Sequence, residues 1–253
     1  MASACDLVLQ VIMIRRKFGP AQALLAGGTD HQGGGKGPIC VLLHGFGADP
    51  YDLAPLASTL SLPNEVRWVF PEAPLPLESG FHSGRAWWMI DLGHLQTMLA
   101  NHRGAELAQE VPNGLHEARA YLSQVLEAIE HDLHGHHSLL ILGGFSQGAI
   151  LSCDLAFCLD RRLSALIVLS GTIVAENEWE QGIARRMNLP IFQSHGDSDP
   201  ILPFEGGVRL HQKMEQKHLK TTWCPFEGGH IIGPAVIIEL KAFLEKMLSS
   251  SVQ

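Results

Sequence analysis

Charge is sparse in this chain of 253 residues: only 17% of the side chains are charged, and 26 acidic residues against 18 basic ones leave a formal net charge of −8. The Lys/Arg clusters that a phosphate backbone demands are missing, which excludes a general nucleic-acid or polyanion binder. Long apolar runs are missing too. Leu7 to Ile14 is too short to span a bilayer, which takes about 20 apolar residues. The basic Arg15, Arg16 and Lys17 follow that stretch, whereas a secretory signal places positive charge in front. Five cysteines, at 5, 40, 153, 158 and 224, form neither a metal-ligand spacing nor a disulfide framework. Cys40, Cys153 and Cys224 fall within apolar stretches and read as buried thiols. No linker and no internal repeat interrupts the chain. These absences lead to the expectation of one α/β domain over residues 1–253, without stable membrane insertion, in a reducing cytoplasm.

What is present is an apolar chain, 46% hydrophobic, in which strand-like runs alternate with helical stretches. One junction carries chemistry. Gly144-Phe145-Ser146-Gln147-Gly148 follows the apolar run Ser138 to Leu142 and precedes the helix-like run Ala149 to Ala156. Strand, sharp turn and helix are the context a G-x-S-x-G nucleophile elbow requires. The serine in such a turn has strained backbone, and its neighbours two residues away must be small enough to let strand and helix pass. The motif alone could be a glycine-rich loop. A serine hydroxyl is a poor nucleophile until a histidine base, itself oriented by a carboxylate, takes its proton.

Both partners are found downstream. Pro190 to Ser194 reads as a short strand that ends in the turn-rich His195-Gly196-Asp197-Ser198-Asp199-Pro200. Asp199 is the expected acid, because Pro200 fixes the chain direction after it. Asp197 is its competitor and suits a turn-capping role. Thr221 to Cys224 reads as the last strand, and His230, in the loop before a Pro-started helix, is the expected base. Ser146, Asp199 and His230 thus occupy loops after three different strands, where an open parallel sheet gathers its functional groups. His44 and His195 also lie at strand ends, and each is expected to bond nearby backbone. Pro38 to Gly45 is a nearly unbroken apolar run, as befits a strand buried on both faces. The backbone N–H groups of Phe46, just beyond it, and of Gln147 are the expected oxyanion donors.

Leu43-His44-Gly45-Phe46-Gly47-Ala48-Asp49, the elbow, His195 to Pro200 and Glu227-Gly228-Gly229-His230 together resemble the signature segments of the phospholipase/carboxylesterase family, which includes acyl-protein thioesterases and small bacterial carboxylesterases. The resemblance covers residues 36–248. It implies an α/β-hydrolase fold with a mostly parallel central sheet flanked by helices. It implies the triad Ser146, Asp199 and His230, the oxyanion donors Phe46 and Gln147, and no metal or organic cofactor.

The excursion over residues 71–114 holds the features that bear on specificity. Gly84 to Asp91 resembles the family's tryptophan-containing loop, and Trp87, Trp88 and Met89 are candidate substrate-binding residues. The mixed segment that follows, with His94, Asn101, His102 and Arg103, predicts a pocket closed off early and best served by butyryl or hexanoyl esters. The expected activity is hydrolysis of short- to medium-chain carboxylic esters through an acyl-enzyme. An acyl-protein thioesterase or lysophospholipase ranks second, and a non-catalytic ligand-binding relative third. The expected partner is a small-molecule ester, and a homodimer is compatible with the chain. His131, His134, His136 and His137 fall at a helix end and in a turn without a metal-fixing pattern. Leu7 to Ile14 with Gln22 to Leu25 reads as a leading hairpin, and Pro234 to Ser249 as a core-packing helix.

Overall fold

The computed structural model describes residues 12–79 and 82–249. Its frame is an eight-stranded sheet in the order β1-β2-β4-β3-β7-β8-β9-β10. An antiparallel edge is formed by β1 (Ile14–Phe18) and β2 (Ala21–Gly27), and β2 pairs antiparallel with β4 (Arg67–Pro71). From there the sheet is parallel through β3 (Ile39–Leu43), β7 (Leu140–Phe145), β8 (Ala165–Leu169), β9 (Ile191–Gly196) and β10 (Thr221–Phe226). The central strands are buried on both faces, which is why they read as unbroken apolar runs. Alternation then sorts their side chains. Ile39, Val41 and Leu43 pack toward α4 (Leu115–Asp132) and α5 (Gln147–Cys158), while Cys40 and Leu42 pack toward α1 (Leu56–Thr59) and α8 (Pro234–Ser249). On the first face lie also α6 (Glu176–Arg185), through Trp179 and Ile183, and α7 (Phe204–Gln216), through Leu210 and Met214. Cys40 and Cys153 are buried as expected, and burial pushes both thiols well above their ordinary range.

Two expectations need correction. The first strand of the leading hairpin lies later than its sequence reading, ending at Phe18 rather than Ile14, because the chain turns at Gly19 and Pro20 and the basic Arg15, Arg16 and Lys17 lie within β1 rather than after it, while Gln22 to Leu25 falls within β2. Leu7 to Val11 of that reading lie outside the described residues. The excursion between β4 and α4 is folded rather than a loop. It holds a hairpin of β5 (Leu75–Ser79) and β6 (His82–Ala86), then α2 (Leu92–Ala100) and α3 (Gly104–Leu107). No helix among the described residues is long and apolar enough to cross a membrane.

At the end of the sheet opposite the strand termini that carry the candidate site, Arg67 is fully buried. It donates to the carbonyls of Gly37 and Leu133 and to Ser138 Oγ. That one side chain ties the entrances to β3, β4 and β7 together.

Candidate active site

Ser146 joins β7 to α5 with φ 55° and ψ −118°, a backbone conformation a side chain rarely adopts. Such strain costs about 1–3 kcal/mol and persists only where the surroundings over-determine it. Here they do. A Cβ on Gly144 would fall 2.5 Å from the Leu43 carbonyl oxygen, and one on Gly148 would fall 2.1 Å from the same atom. The two glycines of the motif therefore let the elbow press against the end of β3. Gly45 lies against the serine, since its own Cβ would be 3.3 Å from Ser146 Cβ. Phe46 follows Gly45 in the chain, and Gln147 is the first residue of α5, where helical N–H groups have no intrahelical acceptor. The helix dipole adds positive potential at that point.

His230 lies in the loop between β10 and α8, with its ring 4.7 Å from that of Phe145, the residue before the serine. Its Nδ1 donates to Asp199 Oδ2 at 2.6 Å. The other carboxylate oxygen of Asp199 accepts the N–H groups of Ile201 and Leu202, both at 2.9 Å. Burial alone would raise the Asp199 carboxyl, but hydrogen bonds from His195, His230 and these two N–H groups hold it well below the usual carboxylate range. Asp197 does something else. It is exposed, accepts the Gly228 N–H and the Ser198 hydroxyl, and so braces the loop that carries His230.

His44 is buried, with Nδ1 bonded to the Gly45 carbonyl and Nε2 accepting the Ala73 N–H, and burial depresses its pKa. His195 bonds the Leu202 carbonyl through Nε2 at 2.8 Å. Both histidines meet backbone, as their sequence positions suggested. A contact that the sequence did not reveal is the approach of His195 Nε2 to Asp199 Oδ2, at 3.4 Å.

Trp87 turns inward, its indole N–H donating to the His44 carbonyl. The Gln147 side chain locks the loop from below: its Oε1 accepts the Trp87 N–H and its Nε2 donates to the Trp88 carbonyl. Trp88 and Met89 form part of the wall of a cavity of 1240 Å³ that runs beneath α2 and α3. The cavity reaches Ile150, one turn along α5 from Ser146, and Leu202, which binds Asp199. A smaller cavity of 450 Å³ lies on the other side of Trp88 and Met89, and Trp87 reaches it. The mixed segment therefore folds as a roof over the larger cavity. Leu92, Leu95 and Leu99 recur at helical spacing, so α2 turns Leu95 and Leu99 into the cavity while Asn101 bonds Thr97 and Arg103 pairs with Glu106 at the surface.

The histidines 131–137 do not converge: His131 is largely exposed and bonds Asp132. Among the described residues, Asp154, Cys158 and Glu178 do come together. Arg119 donates to both of those carboxylates and Trp179 also donates to Asp154, so an internal cation already occupies the cluster.

Residues 32–248 match the family described as Phospholipase/Carboxylesterase. An acyl-protein thioesterase 1 of Aspergillus fumigatus is 28% identical over 214 residues, covering 82% of this chain and 87% of the relative. That of Candida albicans is 28% identical over 224 residues, covering 82% and 91%. Among solved structures, the esterase PE8 superposes with a TM-score of 0.72 at 27% identity, over 88% of this chain and 97% of its own.

Proposed function

Since the chain belongs to the phospholipase/carboxylesterase family of hydrolases, we propose that Ser146, His230 and Asp199 are the catalytic triad of a serine hydrolase that cleaves carboxylic esters with medium and longer acyl chains. The observation that carries this reading is the Asp199–His230 hydrogen bond of 2.6 Å held over the residue that precedes a strained serine. His230 Nε2 takes the Ser146 proton as Oγ attacks the ester carbonyl. Asp199 keeps the imidazole in the tautomer with its proton on Nδ1 and stabilises the imidazolium. The N–H groups of Phe46 and Gln147 receive the oxyanion of the tetrahedral intermediate. Collapse of that intermediate expels the alcohol, which leaves with the proton from His230, and water attacks the acyl-enzyme with the same histidine as base.

A cavity of 1240 Å³ is lined by Ile150 on α5 and by Leu202, although by none of Ser146, Asp199 and His230, and it has room for acyl groups larger than butyryl. The same volume, together with the thioesterase relatives, favours a second reading in which the leaving group is a protein thiol. The triad itself is tested by Ser146→Ala. Turnover of an octanoyl aryl ester should fall by on the order of four to six decades with the fold intact. A serine-directed phosphonate should label Ser146 in the parent and nothing in the variant, and near-parental hydrolysis by a folded Ser146→Ala protein would sink the assignment.

A further inference from the structure

His195 sits at the C-terminal end of β9, wholly removed from solvent, and its two ring nitrogens have unequal surroundings. Nε2 lies 2.8 Å from the Leu202 carbonyl oxygen, so Nε2 carries the proton and donates. The next acceptor within its reach is Asp199 Oδ2 at 3.4 Å. Nδ1 is buried without a hydrogen-bond partner and points at the backbone of Gly207 on α7, where a Cβ would come within 2.4 Å of it. A proton there would leave an unpaired buried N–H, which disfavours it. The ring is thus held in one tautomer and one orientation, edge-on to Phe204 at 6.1 Å.

Leu202 links this histidine to the candidate acid by two routes. Its carbonyl accepts from His195, and its N–H donates to Asp199 Oδ1. His195 therefore grips both ends of the turn Asp199 to Leu202, one through the carboxylate and one through the main chain. We propose that His195 is a positioning residue that fixes the Asp199 carboxylate so that Oδ2 faces His230 Nδ1, and that it acts on turnover only through Asp199. This rests on the reading of Asp199 and His230 as orienting acid and base.

The arrangement has a physical purpose. Asp199 Oδ1 accepts from Ile201 and Leu202 and Oδ2 from His230, and His195 Nε2 stands 3.4 Å from Oδ2, so the carboxylate has little room to rotate. A carboxylate with that many donors also stays ionised in a buried site, so the proton stays on His230 when the imidazolium forms. The depressed Asp199 pKa agrees with this count of donors, burial working in the opposite direction. The titratable neighbours of Asp199 are His195 from β9, His230 from the loop after β10 and Asp197, which is turned outward to Gly228. From α7 the His195 ring meets Phe204 and Gly207, and β10 places Pro225 opposite it, none of them titratable.

The test compares His195→Phe, which keeps a ring but no donor, with His195→Gln, whose amide N–H can reach where Nε2 stood. Each variant is read by ester kinetics and by the downfield proton resonance of the Asp199–His230 hydrogen bond in the full-length chain. In His195→Phe, kcat should fall about 10- to 100-fold with KM changed by less than about threefold, as befits a misplaced catalytic group, and the resonance should broaden or move upfield. His195→Gln should recover most of the lost turnover and the resonance. Should His195→Phe fail to fold, Gly207→Ala displaces the ring without deleting its donor and should lower kcat and shift the same resonance. A folded His195→Phe or Gly207→Ala protein with the parental resonance and kcat within about threefold of parental would overturn the proposal. The resonance is read without turnover, so a parent protein that hydrolyses no ester sinks the enzymatic reading while the spectrum still judges His195.

Discussion

Asp197 and Asp199 are two residues apart, and their surroundings assign them opposite work. Asp199 has a buried side chain on His230, whereas Asp197 is exposed and spent on Gly228 and Ser198. Asp199→Asn should therefore lose roughly 10⁴-fold in turnover by favouring the wrong imidazole tautomer. Asp197→Asn keeps an acceptor oxygen for Gly228 and should lose far less, and a side-by-side kcat measurement that gave the reverse ranking would move the acid to Asp197. The same carboxylate has a thermodynamic signature. Its pKa in the folded chain lies below its ordinary value of 3.8, so the ionised form stabilises the fold above that value, and the contribution is lost as pH falls below it toward the folded-state pKa. Urea midpoints should show the parent's advantage over Asp199→Asn at pH 6 shrinking at pH 3. An advantage that stayed constant or grew in acid would contradict the hydrogen-bond count around Asp199.

At the level of elements, the elbow depends on close approach as much as on the serine. In Gly148→Ala the new methyl would lie 2.1 Å from the Leu43 carbonyl oxygen and 2.7 Å from that of His44. Both are backbone atoms that no rotamer change can move, so β3 and α5 must separate. A loss of about 1–3 kcal/mol of stability is expected from such overpacking, read as a lower urea midpoint, together with a drop in kcat larger than instability explains, because Ser146 moves with α5. These elements were legible in the sequence for that reason: an apolar run, small residues at fixed offsets and a helical period leave few alternatives. The triad loops were legible because Asp199, Pro200 and His230 stand at the ends of such runs. The roof was not. Pro74 and Pro76 obscured the hairpin β5–β6, and the polar His94, Gln96 and Thr97 interleaved with Leu92, Leu95 and Leu99 hid their helical spacing. The contact of His195 with Asp199 was hidden for a different reason, since it depends on a turn folding back by four residues, which no periodicity encodes.

Across the whole molecule, the loops after β7, β9 and β10 carry the proposed triad residues, and the excursion lies over the cavity as a roof tied to the body at several points. Ala175 and Glu176 donate their N–H groups to the Glu110 and Ala108 carbonyls, and Gln147 and the His44 carbonyl hold Trp87 and Trp88, while His94 bonds Glu110 within the excursion at 2.8 Å. If acyl chains enter the cavity beneath, the substrate range extends beyond the short pocket expected of the mixed segment. Each methylene that enters an apolar cavity gains about 0.8 kcal/mol, so kcat/KM should keep rising beyond hexanoyl to at least octanoyl or decanoyl aryl esters. Leu99 lines the cavity from α2. Leu99→Trp fills part of that volume from the roof, so it should leave acetyl and butyryl rates close to parental and move the optimum back toward short chains. A parental optimum at butyryl, unmoved by Leu99→Trp, would show that acyl groups do not use the cavity. Adding a palmitoyl thioester peptide to the same series separates the two leaving groups, since a clear preference for it over the decanoyl ester assigns the cavity to lipidated proteins, and the opposite preference assigns it to small esters.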